Sequence, residues 1–127
     1  MSTRYAFEYA VIRVVPCPER EEFVNVGVIV FCDALEFLAA RVALDARRLQ
    51  GFAANVDSTL VQAHLDAVDL VCRGAPAGGP IGSLPRRERF RWLVAPKSTI
   101  LQTSAAHPGL CHDPGALLEA LLERLVR

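Results

Sequence analysis

A chain of 127 residues is long enough to bury about two thirds of the surface of its unfolded form, so a self-sufficient hydrophobic core is expected. Apolar residues make up 52% and charged residues 22%, which excludes an intrinsically disordered protein. The 14 basic and 14 acidic side chains give a formal net charge of zero. This balance disfavours a protein that holds nucleic acid mainly through its phosphates, and it leaves formation of a homo-oligomer open.

The first half of the chain predicts three strands. Residues 5–15 alternate between two faces, and residues 23–32, FVNVGVIVFC, are apolar on both faces, as in a strand buried on both sides. The charged segment CPEREE between them predicts a hairpin connection. Residues 37–44 then predict a third strand, with Arg41 as its single charge.

Two helices follow. Asp45 can cap a short helix over residues 46–52, and Asp57 or Ser58 can cap a longer one over residues 58–73. Gly74 supplies the left-handed residue on which many helices end. His64 lies among apolar neighbours on the longer helix, which indicates a residue at the edge of the core.

The segment GAPAGGPIGSLP, residues 74–85, predicts no regular element because it is dense in glycine and proline. Together with the following RRERFRW it predicts a long, exposed connection. Residues 98–103 then predict a late strand. Asp113 followed by Pro114 predicts the start of a leucine-rich helix over residues 114–126.

These elements predict a single α+β domain over residues 1–127. Its mainly antiparallel sheet, an N-terminal meander plus one late strand, packs against the middle helix and the C-terminal helix. The four cysteines show no short repeated spacing, and the start MSTRYAFEYA has no apolar signal-peptide run. We therefore expect reduced thiols and a cytoplasmic protein without a membrane span.

Three segments resemble those of the domain-of-unknown-function 3037 (DUF3037) family: YAVIRVVPCPEREEFVNVGVIVF, RFRWLVAPKSTILQTS and HPGLCHDP. The most distinctive part is R-x-x-P at residues 13–16 followed by NVGV at residues 25–28, whereas Cys17 departs from the polar residue expected at that turn. The resemblance implies a small bacterial protein, often encoded beside a HipA-like kinase homologue. It implies no particular reaction and no catalytic residues.

Arg13 and Asn25 form the first candidate binding site. A hairpin register in which they pair would place both side chains on one face of the sheet, where Gly27 would leave room for another group. A guanidinium and an amide could hold a carboxylate, a phosphate or a partner's backbone. The alternative is structural: Arg13 pairs with Glu8, Glu21 or Glu22, and Asn25 fixes the turn.

A second candidate site lies after the long connection. Lys97 and Ser98, preceded by four arginines, could make an anion-binding edge with Trp92 as a stacking surface. GGPIGS lacks the lysine of a phosphate-binding loop, so a solvated basic loop is the alternative interpretation.

His107 belongs to a third cluster with Cys111, His112 and Asp113. Zinc is bound by such residue types, but no second ligand pair has matching spacing, and Asp113 is explained as a helix cap. We therefore predict no metal and no cofactor. Nucleophilic catalysis by Cys111 or Ser98 with His107 has no supporting motif.

The sequence leads to two functional hypotheses. The first is a non-enzymatic interaction or accessory module with a protein partner, for which the family resemblance suggests a HipA-like kinase homologue. The second is a small enzyme or a nucleotide- or phosphate-binding protein that uses Arg13 and Asn25 together with Lys97 and Ser98. Whether the chain is an enzyme stays open, with the balance towards a binding module.

Overall fold

The computed structural model describes residues 3–74, 76–97 and 99–127. In these residues an antiparallel five-stranded sheet is combined with helices, which confirms the predicted α+β class. The order is β3-β2-β1, and both remaining strands pair with the free side of β1, so that β4 and β5 form the far edge end to end. The strands are β1 Tyr5–Val14, β2 Val24–Cys32, β3 Phe37–Val42, β4 Leu101–Thr103 and β5 His107–Cys111.

The helices are α1 Ala46–Phe52, α2 Ser58–Arg73, α3 Gly79–Gly82, α4 Arg86–Val94 and α5 Pro114–Leu125. The predicted caps are confirmed, since Asp45, Asp57 and Asp113 each accept hydrogen bonds from two backbone N–H groups of the helix that follows. At the end of α2, Gly74 takes a left-handed φ of 70°, as expected for a glycine that ends a helix.

The predicted hairpin joins β1 to β2, but its register changes once. Glu8 to Ile12 pair with Phe31 to Gly27, whereas Arg13 pairs with Asn25, so Val26 is an extra residue on β2. A β-bulge of this kind redirects the side chains on either side of it.

β5 was not predicted. Its sequence HPGLC contains proline and glycine, which favour loops, yet an edge strand tolerates a proline because one side of its backbone needs no partner. β4 also covers less than the predicted 98–103, of which Ser98 lies outside the described residues. Between β4 and β5, the buried Ser104 continues the pairing with β1: its N–H donates to Val11 O, and its Oγ accepts from the Val11 N–H, both at 2.9 Å.

The prediction of a long, exposed connection over residues 74–92 was wrong. The segment forms a short 3-10 turn at Pro76–Gly78, then α3 and α4. Two long-range contacts that local composition does not reveal hold α4 in place. Phe90 is fully buried with its ring centroid 5.1 Å from that of Phe31, and Arg89 is buried against the end of α2.

Both faces of the sheet are covered at its centre. Ile12, Ile29 and Phe31 face α2 and α4, whereas Val28 and Val30 pack against the leucines of α5. β2 is therefore buried on both faces, as its continuous apolar sequence predicts. In the ranges that the structure describes, no helix has both the length and the apolar character needed to span a membrane.

Candidate binding pocket

A pocket of about 320 Å³ opens between α2, α4 and β4. This volume is at the lower end of the range for small-molecule sites. The bottom of the pocket consists of Ile12 and Ile29, so it lies on the sheet face that carries α2 and α4. The walls are mostly apolar and come from α2 (Ala67, Val68, Val71), α4 (Trp92, Leu93) and β4 (Leu101).

The polar residues of the lining are all at least partly exposed. They come from α2, from the segment after α4 and from β4: His64, Lys97, Thr99, Gln102 and Thr103. These five include basic and neutral side chains and no carboxylate. The described lining therefore combines an apolar interior with a polar, non-acidic rim, an arrangement typical of ligand sites.

Trp92 and Lys97, which the sequence predicts as parts of one site, do lie together at this rim. The Lys97 Nζ is 4.8 Å from the centroid of the Trp92 ring, within the range of a cation–π contact. Trp92 keeps 43% of its surface exposed. Ser98, predicted beside Lys97, lies outside the described residues.

Lys97 also caps the C-terminal end of α4. Its Nζ donates to the carbonyl oxygens of Trp92 at 2.7 Å, Leu93 at 3.2 Å and Ala95 at 3.2 Å. A cation near the last carbonyls of a helix is stabilising because those groups have no partner within the helix. Partial burial lowers the pKa of Lys97 from its ordinary value.

Arg13 and Asn25 are directly opposite each other in the β1–β2 ladder, so both project from the face that carries α5. The Asn25 Nδ2 donates to Leu125 O at 3.0 Å, which ties β2 to the end of α5. The Arg13 guanidinium carbon lies 4.1 Å from the centroid of the Phe23 ring. The Arg13 Nε and the Asn25 Oδ1 are buried and have no hydrogen-bond partner among the described residues.

Among the described residues, Arg13 forms no ion pair with Glu8, Glu21 or Glu22, the partners that the structural alternative expects. Glu22, one of its expected partners, instead pairs with Arg20 at 2.8 Å in the turn. Glu8 lies in the opposite register of β1 and projects from the other face. The observed neighbour of the Arg13 guanidinium is an aromatic ring, which stabilises the cation by a cation–π contact.

The predicted opening at Gly27 was wrong. The bulge at Val26 places Gly27 opposite Ile12, on the face away from Asn25. A Cβ at Gly27 would lie 2.8 Å from the Arg41 carbonyl oxygen and 3.1 Å from the end of Ile12. Glycine is therefore needed there for close packing of β1, β2 and β3, not for access by a ligand.

His107 lies on β5 opposite Tyr9, and the two ring centroids are 5.1 Å apart. The neighbouring residues of its sequence cluster have separate tasks: Asp113 caps α5, and a ring nitrogen of His112 contacts Thr3 O at 2.9 Å. Burial raises the pKa of the Cys111 thiol, which disfavours the nucleophilic thiolate. In the part of the chain that the structure describes, no group of three or more potential ligands could hold a metal ion.

The contribution of α2 to the pocket does not follow from the sequence. His64, Val68 and Val71 recur at spacings of four and three, which predicts one helix face, but the same spacing describes a purely structural core stripe. Arg89 was likewise interpreted as part of a solvated basic loop. In the structure its Nη1 donates to Val71 O at 2.9 Å and Cys72 O at 2.7 Å, and its Nε donates to Leu84 O at 2.9 Å.

The arginines around Arg89 therefore do not form one anion-binding edge. Arg87 pairs with Asp33 at 2.8 Å, and its guanidinium carbon lies 5.8 Å from the centroid of the Phe31 ring. Arg89 is buried and donates to main-chain carbonyls. In the described pocket lining, Lys97 is the only lysine, and no arginine, aspartate or glutamate accompanies it.

A family model described as "Protein of unknown function (DUF3037)" matches residues 9–126, so the chain belongs to that family. No curated protein and no solved structure matches the chain.

Proposed function

We propose that this member of the DUF3037 family is a non-enzymatic binding module whose recognition site is the pocket between α2, α4 and β4. The observation that carries the proposal is the pocket itself, an apolar cavity of about 320 Å³ with a half-exposed tryptophan at its rim. A cavity of this size has room for an apolar side chain such as leucine or phenylalanine. Exposed aromatic residues beside such cavities often dominate the binding energy of protein interfaces.

The occupant that we propose is an apolar side chain of a protein partner. Burying one such side chain contributes about 1.5 to 3 kcal/mol, which is a large share of the energy of a modest interface. The polar rim formed by His64, Lys97 and Gln102 can then bond to the main chain of the same partner. A HipA-like kinase homologue is proposed as this partner on the family resemblance alone.

The second hypothesis, a phosphate or nucleotide site, receives less support. Arg13 and Asn25 project from the α5 face, whereas Lys97 lies at the pocket on the other face, so these groups do not converge on one phosphate. The Lys97 Nζ already donates to carbonyl oxygens of α4. The observation in favour is the buried Arg13 Nε, which has a free hydrogen to donate.

Binding to the kinase-like partner is tested with a variant that fills the pocket. Ala67→Phe places a ring in the cavity from the exposed side of α2, whereas Ala63→Phe, one turn earlier on the same helix and outside the lining, is the matched control. We expect isothermal titration calorimetry to show at least tenfold weaker binding for Ala67→Phe, about 1.4 kcal/mol, and unchanged binding for Ala63→Phe.

Two results would count against the proposal. Equal binding by Ala67→Phe and the unmodified protein would remove the pocket from the interface. A rise in melting temperature with nucleotides that is lost in folded Arg13→Ala and kept in Ala67→Phe would favour the phosphate site instead.

A further inference from the structure

β3 is one edge of the sheet, and its backbone groups alternate between its neighbour β2 and the outside. The Ala43 N–H, just after the strand, donates to Val26 O at 2.8 Å and fixes the phase of this alternation. Two residues back, Arg41 pairs with Val28 in the same register and so also bonds to β2. The odd-numbered residues of β3 therefore direct their N–H and C=O groups into the sheet.

Leu38, Ala40 and Val42 consequently direct their N–H and C=O groups away from β2. Among the described residues, no backbone group of a turn or loop bonds to them. Val42 also keeps 36% of its surface exposed. As far as the described residues show, this outer side of β3 is a row of unpaired donors and acceptors, the feature by which sheet edges recruit another strand.

The two edges of the sheet differ in how they are protected against such pairing. The far edge is divided between β4, which has three residues, and β5, which has five. β5 also contains Pro108, which has no N–H to donate. β3 has neither proline nor glycine, and its pairing with β2 shows no bulge. Its single charge, Arg41, is neutralised by Glu119 of α5 at 2.7 Å.

We propose that β3 pairs with β3 of a second copy of this chain, antiparallel about a two-fold axis, to give one continuous sheet across a homodimer. The axis passes between Ala40 of one copy and Ala40 of the other. Leu38 of each copy then lies opposite Val42 of the other, so all three outward-facing residues form hydrogen-bonded pairs. This register makes about six hydrogen bonds between the copies.

A second copy fits this edge because the side chains that would meet across the axis are compatible in size and charge. In the same register Arg41 of one copy lies opposite Ala39 of the other, which leaves room for the long side chain. Two Arg41 and two Glu119 side chains then surround the axis with balanced charge. The zero net charge of the chain adds no overall repulsion between the copies.

The association is tested by sedimentation of the full chain over the micromolar range. The unmodified protein is expected at twice its mass of 13.9 kDa. Ala40→Pro removes an N–H that points outward, so it should give a monomer with an intact β2–β3 ladder. Val42→Lys should weaken the dimer about tenfold, and Leu110→Lys, at an exposed residue of β5 on the far edge, is the matched control that should stay dimeric.

Hydrogen exchange identifies the strand directly and does not depend on any variant. On dilution of the unmodified protein, the amides of Leu38, Ala40 and Val42 should lose protection, while those of Ala39 and Arg41 stay protected. A chain that is monomeric throughout this range would overturn the proposal. So would a dimer that Leu110→Lys disrupts and Val42→Lys does not, or one whose dilution leaves exchange at Ala40 unchanged.

Discussion

Arg89 connects two helices through a buried charge that has no acidic partner among the residues the structure describes. Its guanidinium donates to two of the last carbonyls of α2 and to Leu84 O before α4, so charge-assisted hydrogen bonds tie the two helices together. Gly74 allows this contact, because a Cβ there would lie 3.0 Å from the guanidinium carbon. The same environment affects Cys72, whose pKa burial raises to about 12, so its thiol stays protonated at neutral pH.

Replacing Arg89 should therefore destabilise the fold. We expect Arg89→Ala to lower the free energy of unfolding by about 3 kcal/mol, because the three charge-assisted hydrogen bonds that join α2 to the start of α4 are lost. Arg91→Ala, at an exposed arginine of the same helix, should change it by less than about 0.5 kcal/mol. Urea unfolding of both variants measures this difference, and equal stabilities would show that Arg89 is a surface arginine, as the sequence first indicated.

The elements differ in how far the sequence predicts them. Local patterns predict six of the elements: apolar alternation predicts the strands, and apolar helical spacing with acidic caps predicts the helices. These elements are β1, β2, β3, α1, α2 and α5. The sequence does not predict α4 or β5, because each is stabilised by a partner that is distant in the sequence. Arg89 of α4 bonds to the end of α2, and β5 pairs with β1. The pocket is unpredictable for the same reason, since its walls come from separate elements whose packing local patterns do not specify.

Ser104, between β4 and β5, holds this part of the chain against β1 through its hydrogen bonds to Val11. Ser104→Ala leaves the buried Val11 N–H without its acceptor, so we expect a loss of about 1 to 3 kcal/mol in the free energy of unfolding. Faster hydrogen exchange at Val11 should accompany it. Ser83→Ala, at an exposed serine, is the control. Unchanged exchange at Val11 in Ser104→Ala would contradict this role.

The two faces of the sheet are covered by different helices and to different extents. α5 closes one face, where Asn25 bonds to the end of that helix, while α2 and α4 leave a pocket open on the other. The pocket lies on a face of the sheet and away from the β3 edge. A dimer through that edge would therefore have one extended sheet with two open pockets. Lys97 and Trp92 are the only lysine and the only tryptophan of the chain, and both lie at the pocket rim.

Because each of these residues occurs once, both can be observed selectively to test whether the pocket binds an apolar side chain. Protein labelled with ¹³C-lysine gives one lysine signal, and its intrinsic tryptophan fluorescence comes from Trp92 alone. Titration with N-acetyl-leucine amide, a model of a partner's side chain, should shift both signals in the unmodified protein and in Ala63→Phe, with saturation at millimolar concentrations. In Ala67→Phe neither signal should shift. Signals that do not saturate, or that respond equally in Ala67→Phe, would contradict the claim.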